Sequence, residues 1–264
     1  MSNKNKFGLS RDIPDPIQRI VRQRSGFGCV ICGFAIYTYE HIDPTFEEAT
    51  EHNPDNMTLL CGTCHSYVTK GIWSKDKVKL HAKNPVCLQK GFSWGAFDIG
   101  SLHPEVILGS SRWIDTPIVV RAMNETILKI EPSDFECGPY KLSGIFCNKD
   151  ETEIFRIIEN QWKGLIENWD IEIVGQTITV RRGKGDIALK LRTKPPSKII
   201  VEQINMIYKG ASIIGKYGSI ICVKSPDGST IAVSPITGDS CHCGIEVGET
   251  SVSFGIRCKS VGLI

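Results

Sequence analysis

Two cysteine pairs constrain this chain more than any other feature. Cys29-Val-Ile-Cys32 and Cys61-Gly-Thr-Cys64 are C-x2-C turns with 28 residues between them. Such a turn lets two thiolates reach one ion, and two turns together close a tetrahedral four-cysteine zinc site. Gly33 and Gly62 stand where tight knuckle turns need small residues. Four thiolates leave zinc no open coordination position, so its expected role is structural. The remaining cysteines offer no comparable pattern. Cys87 has no partner at ligand spacing and reads as a small buried side chain. Cys241-His242-Cys243, even with Cys222 or Cys258, lacks a complementary pair and reads as ordinary strand and turn thiols.

The compartment follows the same logic. Residues Met1–Ser10 lack the apolar core of a signal peptide. No apolar run reaches the roughly 18 to 20 residues of a membrane helix. A cytoplasmic protein is therefore expected, with its eleven cysteines serving as metal ligands rather than disulfides.

Composition excludes a disordered or fibrous chain: 41% of residues are hydrophobic and 23% charged, over a length of one large or two small domains. The net charge of +2 neither demands nor forbids nucleic acid, but it is unevenly spread. Residues 1–95 hold 12 Lys/Arg against 9 Asp/Glu, and residues 96–264 hold 19 against 20. The Gly- and aromatic-rich joint Lys90-Gly-Phe-Ser-Trp-Gly-Ala-Phe-Asp-Ile-Gly100 places a domain boundary near residue 95.

The fold class expected is α+β: a small zinc-stapled domain over 1–95, then a mostly antiparallel β-rich domain over 96–264. In the first, Asp15-Pro16 opens a helix with Ile17, Ile20 and Val21 on one face, and Gly26 closes it. Ser74 caps a further short helix ending before Pro85. In the second, β-rich runs include 106–108, 117–120, 126–130, 140–146, 171–174, 177–182, 186–193, 219–224, 230–234, 245–249 and 252–257. One amphipathic helix is expected to interrupt them. It starts at a capping-box-like Asp150 and Glu153 and carries Ile154, Ile157, Ile158, Trp162, Leu165 and Ile166 at helical spacing.

Between the cysteine pairs lie Tyr39-Glu40-His41-Ile42-Asp43-Pro44 and Pro54-Asp55-Asn56-Met57-Thr58-Leu59-Leu60, and His65 directly follows Cys64. In these residues, across about 16 to 85, the sequence resembles the HNH endonuclease family. The resemblance implies a ββα-metal fold: a hairpin carrying His41, a loop carrying Asn56 and a helix carrying His65. It implies that His41 is the general base, oriented by a nearby backbone carbonyl. Glu40 and His65 would hold one catalytic divalent metal, Mg2+ in the first instance, with Mn2+, Ni2+ or Zn2+ as substitutes. Asn56 would fix the loop that positions His41, through hydrogen bonds from its side chain to backbone, or touch the metal. The substrate implied is DNA, cut to a 5′-phosphate and a 3′-hydroxyl. Many family members carry Asp before the first His, where this chain has Glu40. Asp43 reads as a loop-capping residue, and His52, His81 and His103 as surface or linker residues.

Arg19, Arg22 and Arg24, with Lys70, Lys75, Lys77 and Lys79, lie close in sequence to these residues and are the expected phosphate contacts. Residues 181–194 read as a basic hairpin whose Lys190, Arg192 and Lys194 face solvent. No motif assigns residues 96–264, which are expected to recognise a nucleic-acid feature, a partner protein or a signalling ligand. Family analogy implies restriction, mobile-element or antiviral defence roles. Double-strand cutting by a one-site enzyme would require a homo-oligomer or two encounters. The competing reading is a zinc-ribbon module that binds nucleic acid without turnover.

Overall fold

The structure, a computed structural model, describes residues 4–233 and 235–263; the first residues of the leader reading and the last residue of the 230–234 strand lie outside that range. The described residues are mixed α+β, with four α-helices and mostly strands. It divides into two units, 1–95 with 163–172, and 96–162 with 173–264.

The first unit is built around a short hairpin. Strands β1 (Thr38–His41) and β2 (Met57–Leu60) pair antiparallel, from Thr38 opposite Leu60 to His41 opposite Met57. Helix α1 (Asp15–Ser25) precedes them; α2 (Gly62–Thr69), α3 (Lys75–Lys83) and the one-turn α4 (Val86–Lys90) follow. All four β2 residues are buried because both faces are covered. Met57 and Leu59 pack with Val21 of α1, Ile13, Ile17, Tyr37 and Tyr39. Leu60 packs with Cys29, Val30, Cys61, Cys64 and Val78 of α3. Ser74 caps α3 as expected, accepting from Lys77 N at 3.2 Å. The start of α1 differs from the expected form: Asp15 lies inside the first turn, where it complements the helix dipole, and Pro14 is the cap residue.

Residues 163–172 join this unit through α1. Arg22 reaches both carboxylate oxygens of Asp170 at 2.8 Å, the Tyr39 hydroxyl at 2.8 Å and Glu172 at 3.3 Å. Gln23 donates to the Trp169 carbonyl at 2.7 Å, and Arg19 stacks over the Trp169 ring. Burial works against the Arg22 charge, but Asp170 and Tyr39 outweigh it and raise its pKa. Arg22 is thus 4% exposed and committed to carboxylates, which removes it from the set of phosphate contacts expected from sequence. Its replacement by alanine removes the guanidinium that meets both carboxylate oxygens of Asp170, itself 2% exposed. We expect a loss of about 3–5 kcal/mol in denaturant unfolding, partly recovered by adding Asp170→Asn.

The second unit is strand-rich throughout. One sheet runs Val252–Ile256, Cys243–Val247, Ile118–Ala122, Glu125–Glu131, Lys141–Cys147 and Glu153–Ile158 in spatial order. The other runs Thr177–Gly183, Asp186–Lys194, Lys198–Tyr208, Glu105–Leu108, Ser111–Ile114, Ile236–Asp239 and Ser260–Leu263. Across the two sheets, three strand pairings among the described residues are parallel, one in the first sheet and two in the second, and the others assigned are antiparallel.

The amphipathic helix expected over 150–166 does not form. Its place is taken by strands Glu153–Ile158 and Gln161–Leu165. The two residues between them, Glu159 and Asn160, have φ of 45° and 69°, the left-handed pair of a tight hairpin. Asn160 also accepts from Leu142 N and donates to Tyr140 O, both at 2.7 Å, which anchors the turn to the next strand. Isoleucines at helical spacing are equally β-branched residues, and the turn plus cross-strand bonding decides between the two readings. Asn160→Ala is expected to lower the stability of this unit by about 1–3 kcal/mol in a thermal or denaturant melt.

A second expectation is overturned nearby. Cys241 and Cys258 form a disulfide rather than remaining free thiols. Cys243 pairs with Ile256 in antiparallel register, so the positions two residues beyond each lie opposite one another. The basic hairpin does form, with Gly183 opposite Asp186. Its Lys190 and Arg192 share Glu202 and its Arg182 pairs with Asp186, so three of its cations are committed to carboxylates.

Candidate functional site

The sulfur atoms of Cys29, Cys32, Cys61 and Cys64 all lie within 4.8 Å of one another, with Cys32 and Cys61 at 3.6 Å. Tetrahedral Zn–S bonds of about 2.3 Å place sulfurs about 3.8 Å apart, so the cluster could hold a metal ion such as zinc. The first knuckle turns at Gly33, whose φ of +84° favours glycine and whose N–H donates to Cys29 O at 2.8 Å. Gly62 departs from expectation, being an ordinary first-turn helical residue with open space around it. Cys61 instead caps α2, its sulfur accepting from Cys64 N at 3.5 Å. The sulfurs compete for negative charge: bonding from Cys32 pulls Cys29 down to about 5 against the effect of burial, while Cys32 is driven up. Burial pushes Cys64 up to about 12. A dication held between the sulfurs would relieve that competition.

The cage fixes α2 against β2, and this positions the next pair. His65 is the residue after Cys64, and Glu40 lies opposite Thr58 on β1. Glu40 Oε2 and His65 Nε2 are 3.1 Å apart and both partly exposed. His41, the next residue along β1, takes the other side of the pleat beside Met57. It is 8% exposed and lies tilted at 58° against Phe46, with ring centroids 5.5 Å apart. Its Nε2 is 3.2 Å from Nδ1 of His52. Burial, and then His52, push the His41 imidazole below its ordinary value of 6.5. Glu40 and His41 nonetheless line one cavity of about 130 Å³, with Arg11, Ile13, Tyr39, Thr45 and Phe46. Among the described residues, the four cysteines alone form a tight cluster of three or more metal-ligating groups.

Several expected roles change here. Among the described residues no backbone carbonyl is hydrogen-bonded to the His41 ring; His52, expected on the surface, is the group bonded to it. Asn56 does hold the loop, but through its main chain: its carbonyl accepts from Ile42 N at 2.8 Å. Arg24 is exposed and paired with Asp55, Lys79 with Asp43, and Lys77 lies over Trp73. Lys70, the residue that caps the end of α2, and Lys75, the first residue of α3, are exposed. The sequence reading missed Arg11, Phe46 and His52. Arg11 stacks over Phe46 at 4.5 Å, and Asn5 pins the loop that carries Phe46 by donating to Phe46 O and Ala49 O at 2.6 and 2.7 Å. An Asn within the first ten residues gives no sequence signal that it reaches residues 46 and 49.

No helix among the described residues is long and apolar enough to cross a membrane. Comparison with protein-family models, curated proteins and solved structures finds no match.

Proposed function

We propose that this chain is a metal-dependent endonuclease of the HNH type that hydrolyses DNA phosphodiester bonds. The observation that carries the reading is the Glu40–His65 pair, 3.1 Å apart beside a sulfur cage and next in sequence to a buried histidine. Two donors about 2.1 Å from one ion and at right angles to it lie about 3 Å apart. A carboxylate and an imidazole suit Mg2+ with a water-completed shell, and Mn2+ or Ni2+ equally. Such an ion supplies charge neutralisation at the phosphate and at the departing oxygen.

The residues divide the remaining work. His41, held neutral by burial, takes a proton from water as the water oxygen forms its bond to phosphorus. The bond from phosphorus to O3′ breaks with its electron pair on O3′, which takes a proton from solvent. In-line displacement needs the attacking water and the departing oxygen on opposite sides of phosphorus; His41 would serve the water, and Glu40 and His65 would hold the ion that eases departure. Arg11, in the wall of the same cavity, is a cation for the phosphate oxygens. Residues 96–162 and 173–264 then serve recognition or control.

The test is incubation of the full chain with supercoiled plasmid and Mg2+, with and without EDTA. The expected result is metal-dependent nicking whose products ligase can reseal, as 5′-phosphate and 3′-hydroxyl ends require. Tight DNA binding with no cleavage in Mg2+, Mn2+ or Ni2+ would instead identify a binding module.

A further inference from the structure

The geometry points to His52 as the positioning residue for His41: His52 Nδ1 accepts from His41 Nε2–H and so leaves the His41 Nδ1 lone pair open as the base. This deepens the nuclease reading and rests on it for the role of the open nitrogen. The bond itself is on the page, at 3.2 Å between Nε2 and Nδ1. Among the described residues, His41 Nδ1 has no hydrogen-bond partner, and His41 lines the cavity that Arg11, Glu40 and Thr45 share. A neutral imidazole has one donor and one acceptor nitrogen, so fixing the proton on Nε2 fixes the lone pair on Nδ1.

The ring has little freedom to depart from this arrangement. Phe46 lies against His41, and the His52 ring is 5.2 Å away at a 45° tilt. Among the described residues His52 Nε2 is buried and without a hydrogen-bond partner, so the polar contact of this imidazole is the one to His41. A buried polar atom with no partner costs stability, and it persists where another demand on the side chain outweighs that cost. The loop bearing His52 is in turn fixed by Asn5 at Phe46 and Ala49, and by Asn53, which accepts from Asp55 N at 2.9 Å.

The test uses two replacements in the full-length chain. His52→Phe keeps a ring but removes the acceptor, whereas His52→Asn keeps an acceptor oxygen near the Nδ1 position. Imidazole nitrogen NMR, with the His41 signals assigned by their loss in His41→Gln, reads the His41 tautomer directly and needs no cleavage. Wild type and His52→Asn should carry the His41 proton on Nε2, while His52→Phe should show mixed tautomers. Single-turnover plasmid cleavage should fall at least about 10-fold in His52→Phe, less than the about 10²–10⁴-fold a general base itself contributes, and largely recover in His52→Asn. A wild-type His41 protonated on Nδ1 would overturn the inference. So would a His52→Phe that keeps the wild-type tautomer, whether or not its turnover falls. Should His52→Phe not fold, the tautomer in His52→Asn decides: retained on Nε2 it supports the assignment, and mixed it refutes it. A wild-type chain inactive on DNA with every metal would refute the nuclease reading, while the tautomer measurement would still judge the contact.

Discussion

Cys61→Ser is expected to unfold the first unit. The residue does two things at once: its sulfur belongs to the four-sulfur cluster, and that sulfur caps α2 by accepting from Cys64 N. The hydrophobic cluster around it is small, with Leu60, Val30 and Val78 packed against the cysteines themselves. Structural zinc binds with an apparent free energy of about 10–16 kcal/mol, which matches or exceeds the whole stability of a typical domain. Serine is a poor zinc ligand at neutral pH, so its introduction removes most of that term. Metal analysis should fall from one zinc per chain toward none, with loss of the cooperative melt of this unit. Cys87→Ser is the control. Cys87 is fully buried, its thiol is pushed up to about 12 by burial, and it stands outside the four-sulfur cluster, so zinc content should not change. A Cys61→Ser chain that keeps its zinc and its melting temperature would show that the cluster is not a metal centre.

His41→Ala is expected to lower cleavage by about 10²–10⁴-fold, equivalent to about 3–5 kcal/mol of transition-state stabilisation. The loss should appear in turnover, with the Mg2+ concentration dependence unchanged, because His41 is assigned no part in holding the ion. Glu40→Gln and His65→Ala should behave differently, shifting that dependence to higher Mg2+. The pH profile adds a signed expectation. Burial and His52 disfavour the imidazolium, so His41 stays neutral below the ordinary imidazole value of 6.5. The acidic limb of the rate should therefore lie below pH 6.5, and its rate should rise with pH through that limb. The same depressed pKa means that protonating His41 favours the unfolded chain, so this contribution is intact above pH 6.5 and is lost as the pH falls through the folded value. Wild-type cleavage by His41→Ala would remove the assigned base.

Features with a local cause are legible in the amino-acid sequence alone. The C-x2-C spacing brings its own sulfurs together, Ser74 caps the turn that follows it, and Gly26 ends α1 with φ of 67°. The placing of Glu40 near His65 was legible for a related reason, since a motif around the cage brings both to it. Tertiary structure decided everything that depends on distant partners. Arg22 reads as a helix-surface cation until Asp170, 148 residues away, buries it. His52 reads as a loop residue until folding sets its ring against His41. The isoleucines of 153–158 fit a helix or a strand equally, and the Glu159–Asn160 turn with its bonds to the neighbouring strand selects the strand. Cys241 meets Cys258 only through strand register. Capping and chelate spacing are set by bonds within a few residues. Ion pairs, ring contacts and sheet register are set by which remote segments share one hydrophobic core, and no local pattern encodes that choice.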